Sequence, residues 1–281
     1  IVGGDEADVI TGGAGDDNLT GDAGNDTFHV NSGSDIITDL GGTSGGQSDV
    51  LIVYATATAN ATDVVSFTAL NTTQNNSTNA SNAVLTSKDG VNTTIDVSAA
   101  TGTSKSFTLT GGTGQDILTG GAGADIISGG DDVDTIVGGD EADVITGGAG
   151  NDNLTGSAGN DTFNVDSGTD AVADLGGAGS GGESDVLVVS SGATANATGI
   201  KSFTATSSTR NDGTANLTST SGGSTINVSA SAAGLYTLTG GSGIDNLTGG
   251  IGNDIILGDA GNDIIVGGAG NDSITGGAGN D

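Results

Sequence analysis

The chain has 281 residues, 55 of them Gly, with no Pro, Cys, Met or Trp and only 2% aromatic residues. A packed core about 10 Å thick normally draws on large aromatic side chains, so a conventional globular core is excluded. Collagen is excluded too, because Pro and a Gly-X-Y period are both missing. Thirty-five acids against four Lys and Arg give a formal charge of −31, which argues against nucleic acid as a partner and makes a compact metal-free state self-repelling. Zero Cys removes disulfides and thiolate zinc sites, and no apolar run approaches the 18 residues of a membrane span.

In chain order, the first pattern is a nine-residue unit, Gly-Gly-x-Gly-x-Asp-x-U-x, with U a large apolar residue. It opens at Gly3-Gly4-Asp5-Glu6-Ala7-Asp8-Val9-Ile10-Thr11, recurs from Gly12 and Gly21, and ends the first block in an irregular copy over 30–38. A second block runs from 111 to 164, with another irregular copy over 165–173, and a third runs from 240 to 281. Residues 1–42 match 136–177 almost residue for residue, at an offset of about 135. The chain therefore reads as a module present about twice, and as a piece of a longer array because it begins and ends inside a repeat.

The eighth position is apolar throughout: Ile10, Leu19, Phe28, Leu118, Ile127, Ile136, Ile145, Leu154, Phe163, Leu247, Ile256, Ile265 and Ile274. Neighbouring strand residues face opposite sides, so a three-residue strand with its middle side chain inward accounts for the pattern, with six residues of turn between strands. Glycine at the first, second and fourth turn positions permits positive φ and brings carbonyl oxygens together. One Asp per turn adds a carboxylate, and an all-oxygen set of this kind suits calcium, which tolerates flexible, carbonyl-rich cages.

The repeat resembles that of the RTX family of exported bacterial proteins, and the nonapeptide is a known calcium-binding β-helix signature. The resemblance covers roughly half the chain. It implies an all-β fold, a right-handed parallel β-roll with two nonapeptides per turn and Ca2+ between successive turns. Carried over by position, the ligands would be Asp8, Asp17 and Asp26 in the first block, and Asp116, Asp125, Asp134, Asp143, Asp152 and Asp161 in the second. The third block would supply Asp245, Asp254, Asp263, Asp272 and Asp281, and the irregular copies Asp35 and Asp170, with Asp49 and Asp185 as further candidates. About 14 divalent ions would bring the charge near neutrality. Some turns depart from the pattern: Glu6, Asp132 and Glu141 replace the fourth-position Gly, and Asp22, Ser157 and Asp259 the second.

The blocks over 1–42, 109–177 and 238–281 are separated by segments rich in Thr, Ser, Ala and Asn over 43–108 and 178–237. Stretches such as Thr94-Ile95-Asp96-Val97-Ser98 and Thr225-Ile226-Asn227-Val228-Ser229 alternate polar and apolar residues and predict short strands. The segments are expected to continue the solenoid as wider rungs without calcium, since each must return the chain to a roll at Leu109 or Leu238; small β-sandwich inserts are the alternative.

No catalytic constellation stands out. His29 is the sole histidine and its counterpart is Asn164, so it lacks the partners that metal hydrolysis or nucleophilic catalysis needs. Asp16-Asp17 is explained by a repeated turn rather than by carboxylates flanking a sugar, and the Gly-x-Gly strings precede no helix. Thr at the ninth position, as in Thr11 and Thr20, fits an exposed strand edge. Asn60-Ala61-Thr62 and Asn196-Ala197-Thr198 are glycan acceptor triplets that composition alone can produce.

These features lead to the expectation of a secreted, non-enzymatic structural protein: part of a surface layer, extracellular filament or adhesin rod, self-associating and stiffened by calcium. The alternative is a calcium-dependent secretion and folding module of a larger exported enzyme or toxin, of the kind the family sends out by type I secretion. Carbohydrate binding by the Thr-rich segments is a third reading, weakened by the few aromatics.

Overall fold

In the computed structural model, residues 1–42, 48–77, 83–102, 104–176, 184–232 and 234–281 are described. They are built from strands and turns, with no helix among them. The first few residues of both interblock segments, 43–47 and 178–183, lie outside the described residues, as does Gly177 at the end of the second block. The chain divides into two compact units, Ile1–Val144 and Ile145–Asp281. Each is a parallel β-solenoid.

In the first unit the register advances 18 residues per coil in the Gly-Asp blocks: Val9 lies against Thr27, Asn18 against Ile36, and Leu109 against Ile127. Two nonapeptides thus make one coil, one strand on each of two faces. Between the blocks the coil widens. Ile52 pairs with Gln74 and Phe67 with Ile95, steps of 22 and 28 residues, and a third face is added.

The three faces can be followed strand by strand. The first stacks Val9–Thr11, the start of Thr27–Ile37, the start of Val50–Val64 and Gln74–Asn75, and stops at a bridge from Gln74 to Thr101. The second stacks the later part of Val50–Val64, then Ala83–Ser87, Thr108–Thr113 and Ile126–Asp131. The third begins at Ser66–Thr68 and continues through Thr94–Asp96, Ile117–Gly121 and Thr135–Asp140. The roll that enters the wide segment therefore uses faces one and two, and the roll that leaves it uses faces two and three.

The second unit repeats this plan. Its first face stacks Thr162–Val165, Val186–Val189 and Arg210–Asn211; its second runs from Ser167–Ala173 through Thr194–Ile200, Thr214–Ser219 and Tyr236–Thr239 to Ile255–Ala260 and Ser273–Ala278. Its third begins at Ser202–Thr204 and continues through Thr225–Asn227, Asn246–Thr248 and Ile264–Val266. Among the described residues, the interblock segment of each unit thus forms wide coils of that unit's solenoid.

The eighth-position residues point inward as the spacing requires, and Leu19, Phe28, Leu118, Ile127, Ile136, Phe163 and Ile256 are fully buried. Ile265 is only half-buried and Ile274 is exposed, because both lie in the last coils, where Ile274 has a neighbouring strand on one side. The wide coils fill their larger interior with many small side chains, among them Ala57, Ala59, Ala61, Ala195 and Ala197, around Phe67, Phe107, Phe203 and Tyr236. Close packing is reached by number rather than by size.

Candidate metal centre

The motif aspartates are drawn inward. Asp26, Asp35, Asp116, Asp125, Asp134, Asp143, Asp152, Asp161, Asp170, Asp245, Asp254 and Asp263 are buried. Asp8, Asp17 and Asp272 are half-buried, and Asp281 is exposed on the last coil. Burial of so many carboxylates in a chain with four Lys and Arg needs a compensating arrangement.

Part of it is a ladder of backbone bonds. Within the rolls the N–H of a motif Asp repeatedly donates to Oδ1 of the Asp one coil later: Asp8 to Asp26 at 2.9 Å, Asp17 to Asp35 at 3.1 Å, Asp116 to Asp134 at 2.8 Å, Asp125 to Asp143 at 2.7 Å and Asp152 to Asp170 at 3.1 Å. In the last block Asp245 donates to Asp263 at 2.9 Å, Asp254 to Asp272 at 3.0 Å and Asp263 to Asp281 at 3.1 Å. One oxygen of each carboxylate thus locks two coils together with a charge-assisted hydrogen bond. Asp35 and Asp170, from the irregular copies, take the same place as the regular ones.

The second oxygen is left over. Among the described residues, Oδ2 of Asp17, Asp35, Asp116, Asp170, Asp245 and Asp263 is buried without a hydrogen-bond partner. An orphaned anionic oxygen is costly unless something cationic meets it. Asp116 also lines a cavity of about 360 Å³, together with Thr93, Gln115 and Val133.

These oxygens face the first-position glycines. A Cβ on Gly12 would stand 2.6 Å from Oδ2 of Asp35 and 3.1 Å from Oδ2 of Asp17; on Gly147 it would stand 2.6 Å from Oδ2 of Asp152 and 3.1 Å from that of Asp170. Carbonyl oxygens arrive from the next coil, Gly21 at Gly3 (2.9 Å) and Gly258 at Gly240 (2.7 Å). Carboxylates of two coils, or a carboxylate and a backbone carbonyl of the next coil, therefore converge where only glycine leaves space. No three His, Cys, Asp or Glu side chains cluster as a metal site among the described residues. A cation here would depend on backbone carbonyls as much as on carboxylates, which favours a hard, oxygen-seeking ion with a flexible shell.

The electrostatics agree. Burial pushes the Asp116 carboxyl up to about 6 against the opposing hydrogen bonds from Thr93. Asp170 is raised to about 6 by burial first, with the Asp152 and Asp166 charges adding to it while the Asp152 N–H opposes. Asp35 and Asp245 are raised by burial and, in smaller part, by Asp17 and Asp263 of the adjacent coil. Like charges held this close ask for a divalent counter-ion.

Most turns that depart from the glycine pattern keep its left-handed backbone, Glu6 being the exception. Asp22, Ser157 and Asp259 at the second position have φ of 68°, 78° and 66°, and Asp132 and Glu141 at the fourth have 75° and 72°. The left-handed turn is thus retained at the cost of strain in a residue with a Cβ.

Two sets of residues in the site escape position-by-position reading. At the fifth position an Asn or Asp side chain accepts the N–H one coil later, as Asn253 does from Asn271 (2.7 Å), Asn262 from Asn280 (3.0 Å) and Asp16 from Ser34 (2.8 Å). This ladder runs opposite in direction to the Asp ladder, and its signal is the recurrent Asn-Asp pair near the end of the chain. Asp39 stands where a first-position Gly would be, and its two oxygens accept the N–H groups of Gly21 (2.9 Å) and Asp22 (2.5 Å). Asp174 does the same for Gly156 and Ser157, at 3.1 and 2.8 Å. Asp49 and Asp185, the further candidates of the sequence, each accept two backbone N–H bonds, Asp49 from Asp26 and Gly41, and Asp185 from Asp161 and Gly176.

A family model described as the RTX calcium-binding nonapeptide repeat matches residues 2–37, 108–136, 137–172, 237–265 and 257–281, just over half of the chain. The chain belongs to the RTX calcium-binding repeat family. Its matched stretches coincide with the two-faced rolls, and the wide three-faced coils lie between them. No curated protein matches the chain. The orphaned carboxylate oxygens and the glycine cradles fit the ion for which this RTX repeat is named.

Proposed function

We propose that this RTX protein is an extracellular structural element, a unit of a surface layer, filament or adhesin stalk, whose Gly-Asp rolls fold and stiffen on binding several calcium ions. The observation that carries the reading is the convergence of buried Oδ2 atoms from successive coils on a glycine that leaves room for an ion, as Asp17 and Asp35 do at Gly12. The rolls over 1–42, 109–177 and 238–281 would take the ions through most of their motif aspartates. The wide coils over 43–108 and 178–237 would act as metal-free spacers.

The surroundings support a place outside the cell. Extracellular modules bind calcium at about 10⁻⁴ to 10⁻³ M, so folding would wait for export from a calcium-poor compartment, and binding to the folded state alone then adds stability by linkage. Duplication of one module favours a structural array over a catalytic role, and parallel strand stacks offer edges on which a second copy can pair.

Small-angle X-ray scattering in chelator and in millimolar calcium tests this. The reading expects a radius of gyration falling from near the roughly 60 Å of an unfolded chain this long to roughly 20–25 Å, with forward scattering growing several-fold as copies associate. Collapse without growth in forward scattering would remove the self-assembling role and leave a calcium-dependent module of a larger exported protein. No collapse would remove calcium-dependent folding.

A further inference from the structure

Resting on the calcium reading, we propose that Asp125 and Asp254 are not calcium ligands, although both occupy the sixth position of the repeat. They are backbone clamps that, with Asp49 and Asp185, fasten each wide segment to the rolls on either side of it.

The distinction lies in the second carboxylate oxygen. In Asp17, Asp35, Asp116, Asp170, Asp245 and Asp263, Oδ2 is buried with no hydrogen-bond donor, among the described residues. In Asp125, Oδ1 accepts the N–H of Phe107 at 2.6 Å and Oδ2 that of Gly121 at 2.9 Å. In Asp254, Oδ1 accepts from Tyr236 at 2.8 Å and Oδ2 from Gly250 at 2.7 Å. An amide hydrogen directed at Oδ2 presents positive charge where a cation would have to approach, and its bond to the carboxylate is itself charge-assisted.

The coil beneath differs as well. Residues 107 and 236 stand one 18-residue step before Asp125 and Asp254, where the repeat would place an Asp, and both are buried aromatics. The doubly bonded pattern recurs at the opposite junctions, where Asp49 holds Asp26 at 2.9 Å and Gly41 at 2.8 Å, and Asp185 holds Asp161 at 2.9 Å and Gly176 at 2.6 Å. All four clamps sit where a two-faced roll meets a three-faced coil, in equivalent places in both modules. On this assignment the calcium row above each wide segment begins with Asp116 or Asp245 on one face, and one coil after Asp125 or Asp254 on the other.

The test is to count bound calcium by equilibrium dialysis and atomic emission in saturating calcium, with circular dichroism to verify folding. The double variant Asp125→Asn with Asp254→Asn should bind as many ions as the parent while unfolding at lower temperature. Asp35→Asn with Asp170→Asn should lose about two ions, one per altered turn. Equal losses from both pairs would overturn the clamp assignment and leave the calcium reading standing; no loss from either would overturn both. As a check that needs no variant, anomalous diffraction from crystals of the parent grown in calcium should show peaks at the Asp35 and Asp170 carboxylates. A peak within about 2.6 Å of Asp125 or Asp254 would overturn the clamp assignment.

Discussion

Asp152 donates its backbone N–H to Oδ1 of Asp170 at 3.1 Å, and the Oδ2 atoms of both residues converge on the space above Gly147 that a methyl group would fill. The same carboxylate therefore ties one coil to the next and offers an oxygen to whatever lies between them. Stability of the roll and occupancy of the site are consequences of one geometry.

Gly147→Ala places a Cβ 2.6 Å from Oδ2 of Asp152. Calcium-induced folding of this variant should need a several-fold higher calcium concentration, read from a circular dichroism titration. Gly13→Ala is the control, since its φ of 99° is strained for alanine but its Cβ meets open space. It should cost about 1–2 kcal/mol with the same number of ions bound. Equal ion counts in the two variants, with equal midpoints, would count against the cradle.

Glu141 and Ser157 hold positive φ on residues with a Cβ. Glu141→Gly and Ser157→Gly should each stabilise the calcium-loaded protein by roughly 1 kcal/mol, measured as a shift in the urea midpoint at fixed calcium. A destabilising effect from both would show that their side chains contribute more than their backbone strain costs.

Asp39 satisfies the N–H groups of Gly21 and Asp22 and is buried. Asp39→Ala should destabilise the first roll by about 2–3 kcal/mol while leaving the number of bound ions unchanged. Loss of an ion in this variant would make Asp39 a ligand instead of a cap.

In the metal-free protein Asp116 and Asp170 are raised to about 6 and Asp125 to about 7, from an ordinary value of 3.8. The folded state then binds more protons than the unfolded one, so in chelator its stability should increase as pH falls from about 7 towards 4 and decline again on the return. Calcium competes with the protons on Asp116 and Asp170, so the calcium midpoint for loading the folded protein should rise over the same fall in pH. A midpoint that is flat between pH 7.5 and pH 5 would contradict this coupling.

Much of the roll is legible in the sequence because its chemistry has a fixed period. Ile127 and Ile136 point inward, and Asp35 and Asp170 take the ladder position, as spacing alone requires. The third face is not legible, because steps such as Ile52 to Gln74 and Phe67 to Ile95 differ in length and the interior is filled by alanines that carry little pattern. Asp125 illustrates a further gap. Its motif is regular, and only the residue one coil below, Phe107, reveals that its surroundings differ. Asp39 looks like one more acid until the 18-residue register sets it over Gly21.

Hydrogen–deuterium exchange read by mass spectrometry tests most directly whether calcium between the coils holds the rolls together. Peptides covering Asp17, Asp152 and Asp245, whose amides donate to the next coil's carboxylate, should exchange rapidly in chelator and become strongly protected in millimolar calcium. Equal protection of these peptides in both conditions would contradict the account.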